Sequence, residues 1–234
     1  MQLQDNKAIV TGVSKGIGLE TAKLLLEKGA YVAGWSRSAP DFEHERFKFI
    51  QTNVTDPTSV SQAYEASTSF LGKNIHILVN NAGMGFYGPM EETSNEEWQM
   101  MFETNVNSIF YASKLVVPQM KVLDEGHIIN IGSIAGLNPV KNMVGYAATK
   151  HAVTGISHSM YHELREFGIK VTCIYPGSVR TNFFDQIDSI NAHENMMRPE
   201  DIAKTIVDCI DTHANYLPVD IEVRPLRPKG KQHN

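Results

Sequence analysis

Tyr146 and Lys150 stand four residues apart at the start of a strongly helical pattern, so both side chains project from one helix face. Of the eight tyrosines, only Tyr146 has a lysine four positions on. A phenol near its usual pKa of about 10 is a poor acid–base catalyst at neutral pH. Lowering that value by roughly two to three pH units takes about 3–4 kcal/mol of preferential phenolate stabilisation. An ammonium about 4 Å away, at an effective dielectric near ~20, supplies a Coulomb attraction of about that size. Ser133 adds a hydroxyl at the carboxyl end of the apolar run His127–Ile131, the end at which open α/β sheets present their ligands. The three suit proton transfer to or from a carbonyl or alcohol oxygen, with Ser133 holding the oxygen and Tyr146 exchanging its proton.

A second group of residues is suited to holding an anion. Thr11-Gly12-Val13-Ser14-Lys15-Gly16-Ile17-Gly18 follows one apolar run and opens a helical one. Gly12 fits a tight turn, Gly16 lets backbone amides approach a phosphate, and Gly18 allows close helix–strand packing. The helix N-terminus then faces the anion. The spacing G-x-x-x-G-x-G differs from the G-x-G-x-x-G of many dehydrogenases, and no Gly-Lys-Ser/Thr follows as in a Walker loop. Placed between strand and helix, the loop reads as a dinucleotide diphosphate site.

Holding these residues in place requires alternating strands and helices. Strands are expected at Lys7–Thr11, Tyr31–Trp35, Phe47–Val54, Ile75–Asn80, His127–Ser133, Lys170–Tyr175 and Leu217–Val223. A helix marked by Ile17 and Leu24–Leu26 closes at Gly29, and others fall at Thr58–Leu71, Asn95–Val117, Tyr146–Phe167 and Glu200–Asp211. This rhythm implies an α/β, Rossmann-type fold: one doubly wound parallel sheet of about seven strands with helices on both faces. Only Arg37–Arg46, with Pro40 inside, joins the second and third strands, too short for a crossover helix and therefore a loop or single turn. No Pro-, Gly- or Ser-rich linker divides the chain, so residues 1–234 are expected to form one domain, with a substrate lid over about 182–197.

With 42% hydrophobic and 20% charged residues and a net charge of −5, the composition is that of a globular protein without a basic face, which disfavours nucleic acid as a partner. The opening Met1–Asp5 lacks a secretory pattern, and no apolar run is long enough to span a bilayer. Cys173 and Cys209 sit in apolar stretches as reduced thiols would. The expected location is the cytoplasm, with no membrane contact.

In order along the chain, Thr11-Gly12-x-x-x-Gly16-Ile17-Gly18, Asn80-Asn81-Ala82-Gly83, Asn105, Ser133, Tyr146-x-x-x-Lys150 and Pro176-Gly177 together resemble the short-chain dehydrogenase/reductase family. The resemblance implies a catalytic triad of Ser133, Tyr146 and Lys150, completed by Asn105, which bends its helix and helps hold a water in a proton relay from the lysine. It also implies that Lys150 holds the nicotinamide ribose. Ser14, Asn81, Ala82, Gly83, Pro176, Gly177, Val179 and Thr181 would line the cofactor cleft. Where the family often carries aspartate before valine, this chain has Asn53-Val54; an amide still offers an oxygen to the adenine amino group. The family also implies a homodimer or homotetramer.

The cofactor choice rests on the end of the second strand. A carboxylate there would bind the adenosine ribose diol and repel a 2′-phosphate. The position is Ser36, Arg37 follows, and Lys15 lies in the glycine loop. Two cations and no carboxylate favour NADP(H). Met84, Phe86, Tyr87 and Leu137–Met143 give the substrate side an apolar character, as for a small or medium carbonyl compound. His158 and His162 share a helix face, but no third ligand accompanies them, so no metal is expected. Trp98, Met101, Phe102, Ile109 and Phe110 form an apolar face for packing or a dimer contact.

The leading reading is an NADP(H)-dependent carbonyl reductase. Its rivals are an NAD(H)-linked alcohol or hydroxy-acid dehydrogenase and a non-catalytic dinucleotide-sensing regulator. Arg37→Asp combined with Lys15→Ala is expected to cut the NADPH preference sharply, because each charge-assisted contact carries about 1.5–3 kcal/mol. Unchanged relative kcat/KM for NADPH and NADH would overturn the assignment.

Overall fold

The computed structural model describes residues 3–181 and 194–227. Strands β1 (Lys7–Thr11), β2 (Tyr31–Ser36), β3 (Phe47–Gln51), β4 (Ile77–Asn80), β5 (Gly126–Ile131), β6 (Ile169–Pro176) and β7 (Asp220–Val223) form one sheet. Their order is β3-β2-β1-β4-β5-β6-β7, and every neighbouring pair is parallel. The chain winds outward from β1, then returns to β4 and winds the other way. The topological switch therefore lies between β1 and β4, where such sheets open a crevice.

Helices α1 (Gly16–Glu27) and α6 (Pro199–Ile210) cover one face. Helices α2 (Pro57–Leu71), α4 (Ser108–Leu123) and α5 (Val144–Leu164) cover the other. β4, β5 and β6 are buried along their whole length, which explains the apolar, non-alternating runs Ile77–Val79 and Ile128–Ile129. All the expected strands are present, β7 starting at Asp220 rather than Leu217.

The β2–β3 connection is a loop, as its length requires. Aromatic rings fill the space where a helix would pack. A side-chain carbon at Gly34 would lie 2.7 Å from the Phe47 ring, and Phe42 meets Phe47 edge-on at 5.4 Å.

One element departs from the pattern. The helix expected over Asn95–Val117 is divided into α3 (Asn95–Phe102) and α4 by a π-helical turn, Glu103–Asn107. Met101 and Ile109 of its apolar face are buried, while Trp98, Met100 and Phe110 remain exposed. Most of the expected lid, 182–193, lies outside the described residues. At its end Met197 is buried and exchanges backbone hydrogen bonds with Ser178 and Arg180. No helix among the described residues is long and apolar enough to cross a membrane.

His127 at the start of β5 is fully buried. Its Nε2 lies 2.9 Å from Thr172 Oγ1, and that hydroxyl donates to Pro218 O at 2.7 Å. The imidazole therefore donates through Nε2, and Nδ1 has no partner among the described residues. Burial, with the nearby Lys170 charge, pushes the ring pKa down from 6.5 to about 3. Below pH 6.5 the unfolded chain binds a proton that the folded chain refuses, so stability present above that value is lost as pH falls toward about 3. The loss is about 1.4 kcal/mol per pH unit. His127→Gln keeps a donor for Thr172 and removes the titration. Urea unfolding between pH 6.5 and 5 should show about 2 kcal/mol less acid destabilisation in the variant than in the parent; equal slopes would refute this.

Candidate active site

The cradle for an anion is built where β1 and β4 end side by side. Thr11 Oγ1 accepts the backbone N–H groups of Asn81 and Ala82, each at 2.9 Å. In return Asn81 Nδ2 donates to Thr11 O at 2.9 Å and Gly12 O at 3.3 Å. Gly12 and Gly16 adopt φ of 74° and 65°, a left-handed region that favours glycine. At Gly18 a side-chain carbon would lie 2.3 Å from Gly12 O and 2.4 Å from Asn81 Nδ2, so only glycine lets the helix start this close to the loop. Lys15, at the N-cap of α1, makes no capping side-chain hydrogen bond, and a helix N-terminus turns its first amides toward any anion there. Beyond β6, Thr181 comes over the loop, its Cγ2 3.6 Å from where a Gly16 side chain would begin. Gly177 N donates to Val223 O at 2.7 Å, which holds the turn after Pro176, while Val179 is buried beside Met197.

At the far end of the cleft, Ser36 is buried and its hydroxyl donates to Ser38 O at 2.8 Å. Arg37 and Lys15 are both exposed, and neither enters an ion pair among the described residues. Asn53 behaves differently from expectation. Its Oδ1 accepts from Thr55 N at 3.3 Å and Thr55 Oγ1 at 2.9 Å. The amide oxygen thus takes part in a local Asx turn, and Val54 beside it is partly buried.

The reacting groups meet at the carboxyl end of β5. Ser133 leaves the strand and caps the 3-10 turn Ile134–Gly136, its hydroxyl accepting from Ala135 N at 3.1 Å. That turn packs directly on α5, since a side chain at Gly136 would lie 2.5 Å from Lys150 O. The Ser133 side chain reaches Tyr146 by hydrogen bond. Lys150 is buried, and its Nζ donates to Ile131 O at 2.8 Å, 5.6 Å from the centre of the Tyr146 ring.

Electrostatics here run against the simple expectation. Burial pushes the Tyr146 phenol up to about 12, and the Ser133 hydrogen bond only partly opposes it. Burial likewise pushes Lys150 down to about 8. Loss of solvent thus dominates the Tyr146 phenol, with Ser133 opposing it.

Asn105, in the π-helical turn, is almost fully buried. Its Oδ1 accepts from Met84 N at 2.8 Å, and its Nδ2 donates to Met84 O at 2.8 Å and Thr149 Oγ1 at 2.9 Å. The irregular turn gives this amide the room to act as a one-residue strand partner for Met84. A side chain at Gly83 would begin 3.4 Å from Asn105 Oδ1 and 3.8 Å from Lys150 Nζ, so Asn105, Gly83 and Lys150 converge.

The family model for short chain dehydrogenases matches residues 6–192. The chain belongs to that family. It is similar to the 3-oxoacyl-[acyl-carrier-protein] reductase of Vibrio cholerae, 37% identical over 188 residues, covering 78% of this chain and 77% of the relative. An uncharacterised oxidoreductase of Staphylococcus saprophyticus is 31% identical over 236 residues, covering 97% of this chain and all of that one. Among solved structures, a serine dehydrogenase complexed with NADP+ superposes with a TM-score of 0.84 at 26% identity, over 93% of this chain and 94% of its own. The 3-ketoacyl-(acyl-carrier-protein) reductase of Brucella melitensis, complexed with NADH, gives 0.85 at 25%, over 96% and 99%.

In this short-chain dehydrogenase two supporting residues escape a reading of the sequence. Thr11 is visible only as the first letter of the glycine motif, yet it joins β1 to β4. Thr149 lies beside Lys150 and is fully buried. Its hydroxyl donates to Tyr146 O at 2.7 Å and accepts from Asn105 Nδ2, linking the catalytic turn of α5 to the π-helical turn. Nothing in its spacing sets it apart from any helical threonine. Thr149→Val leaves the Asn105 amide short of an acceptor, a cost of about 1–3 kcal/mol. We expect kcat/KM to fall at least about tenfold, with Thr149→Ser restoring most of it. Equal activity in the valine and serine variants would remove Thr149 from the site's support.

Proposed function

We propose that the chain reduces a small or medium carbonyl compound to the alcohol with NADP(H), Tyr146 supplying the proton. The observation carrying this reading is the meeting of Ser133, Tyr146 and Lys150 at the end of β5, in a sheet whose switch point holds the glycine cradle. The cradle fits a dinucleotide: its glycines leave the backbone bare, and Lys15 does not cap the α1 N-terminus. Gly12, Ser14, Gly16, Ile17, Gly18, Ala82, Gly83 and Thr181 would hold the diphosphate and the nicotinamide half, with Asn81 and Val179 supporting them. Lys15, Ser36 and Arg37 would hold a 2′-phosphate, the two exposed cations meeting its charge. When bound, the cofactor supplies hydride to the carbonyl carbon.

The protein's part is proton delivery. Ser133 and Tyr146 hydroxyls hold the carbonyl oxygen, polarising it before reaction. As the carbon accepts hydride, the oxygen takes the Tyr146 proton, and the resulting phenolate faces the Lys150 ammonium. A phenol that keeps its proton up to about 12 is fully protonated at neutral pH, which suits the reductive direction. Lys150, at about 8, is still mostly charged there and can pass a proton onward. Asn105 holds the backbone of Met84 beside this path and would help order a relay water.

A second reading, an NAD(H)-linked alcohol dehydrogenase, gains from the NADH complex of the Brucella reductase. The intact Ser–Tyr–Lys set argues against a purely sensing role. On this reading residues 1–234 act as one cytoplasmic domain in a homodimer or homotetramer, with Trp98, Met100 and Phe110 as apolar surface for self-association.

Tyr146→Phe removes the proton and keeps the ring. Carbonyl reduction with NADPH is expected to fall at least about 100-fold in kcat/KM, while the NADPH dissociation constant, followed by fluorescence titration, changes by less than about threefold. Reduction at the parent rate would end the proposal.

A further inference from the structure

Two loops border the first turn of α5: residues 84–89, which follow β4, and residues 137–143, which lead into the helix. The first is fastened at its start, where Asn105 takes both backbone groups of Met84. It is fastened again by the second loop. Gly88 N donates to Asn142 O at 2.9 Å, and Asn142 Nδ2 donates to Tyr87 OH at 3.2 Å. Asn142 uses its backbone and its side chain on successive residues of the neighbouring loop.

To do so it adopts φ of 60°, a left-handed conformation that ordinary residues avoid and asparagine accepts more readily. Two residues later α5 begins, and four residues later stands Tyr146. Met143, between the clasp and the helix, is buried, so the clasp connects rigidly to the catalytic turn. Phe86, partly buried, lies on the strap between its two fastenings, at the carboxyl end of β4, where open α/β sheets present their ligands.

We infer that Asn142 is a specificity-determining positioning residue: by clasping Tyr87 and Gly88 to the head of the catalytic helix, it fixes the wall that limits the group beside the reacting carbonyl. The inference rests on the carbonyl-reductase reading for its substrate but not for its geometry. A firm wall discriminates by size, one methylene changing preference by roughly 10- to 200-fold; a strap held only at Met84 yields to the larger group.

The test has two arms on the NADPH-loaded protein. Hydrogen exchange at the Gly88 amide reads the clasp without turnover. Asn142→Ala, which disfavours the left-handed backbone and removes the side-chain donor, should speed it at least about tenfold, with the glycine-loop peptide unchanged. The second arm compares kcat/KM for butan-2-one and 4-phenylbutan-2-one. The parent should separate them at least about tenfold. Asn142→Gly, which keeps the backbone conformation, and Tyr87→Phe, which removes only the acceptor, should each bring the ratio several-fold nearer to one. The double variant should do no more than either alone. Unchanged exchange in Asn142→Ala overturns the clasp. Faster exchange with an unchanged ratio, or a parent that does not separate the ketones, overturns the role in specificity. A parent that reduces no carbonyl compound overturns the proposed function, and the exchange arm still decides whether the clasp exists.

Discussion

Thr11 and Asn81 exchange hydrogen bonds across the ends of β1 and β4, at the one place in the sheet where the winding reverses. Adjacent strands would otherwise part there, because the loops leaving them run to opposite faces. The exchange holds the first loop against the second and brings Gly12 O within reach of the Asn81 amide. That proximity excludes any side chain at Gly18 and so allows α1 to aim its N-terminus across the crevice. The cradle is a consequence of this closure more than of glycine flexibility in the abstract.

A second constraint works by exclusion of water. Ser133, Lys150 and Asn105 are all buried, and every one of them is turned toward a backbone group as well as toward the site. Such bonds hold charged and polar groups where solvent cannot. The same burial raises Tyr146 and lowers Lys150. In the bare protein the phenol is a firm proton holder, and a positive charge brought close to it has a large effect because little water screens the pair.

The sheet was legible in the sequence because strands covered on both faces favour apolar runs without strict alternation, as at Ile77–Val79 in β4 and Ile128–Ile129 in β5, even though His127, Lys170 and Thr172 are buried there too. The Tyr146–Lys150 face followed from helical geometry alone, and the glycine cradle from its place between strand and helix. The family resemblance added Asn105, which by residue type looks like a surface amide. Other features were not legible. A π-helical turn has no compositional signature: it exists because Asn105 must reach Met84 and Thr149, partners 21 and 44 residues away. The turn that Asn53 makes to Thr55 has no signature in spacing, because an amide's local options depend on the backbone. The upward shift of Tyr146 was not legible either, because spacing reports neighbours and says nothing of lost hydration.

The missing crossover between β2 and β3 leaves a mark on how this protein can change. In its place the Phe47 ring lies against Gly34, with Phe42 set edge-on to it, so residues 37–46 pass the sheet without forming a helical layer over it. Phe42 and Arg46 touch the sheet, Arg46 O accepting from Val32 N, whereas most of the other residues there are exposed. Those exposed positions can change with little disturbance to the scaffold that positions Ser133, Tyr146 and Lys150 some strands away; on the proposed function, this separates the evolution of cofactor choice from that of the chemistry.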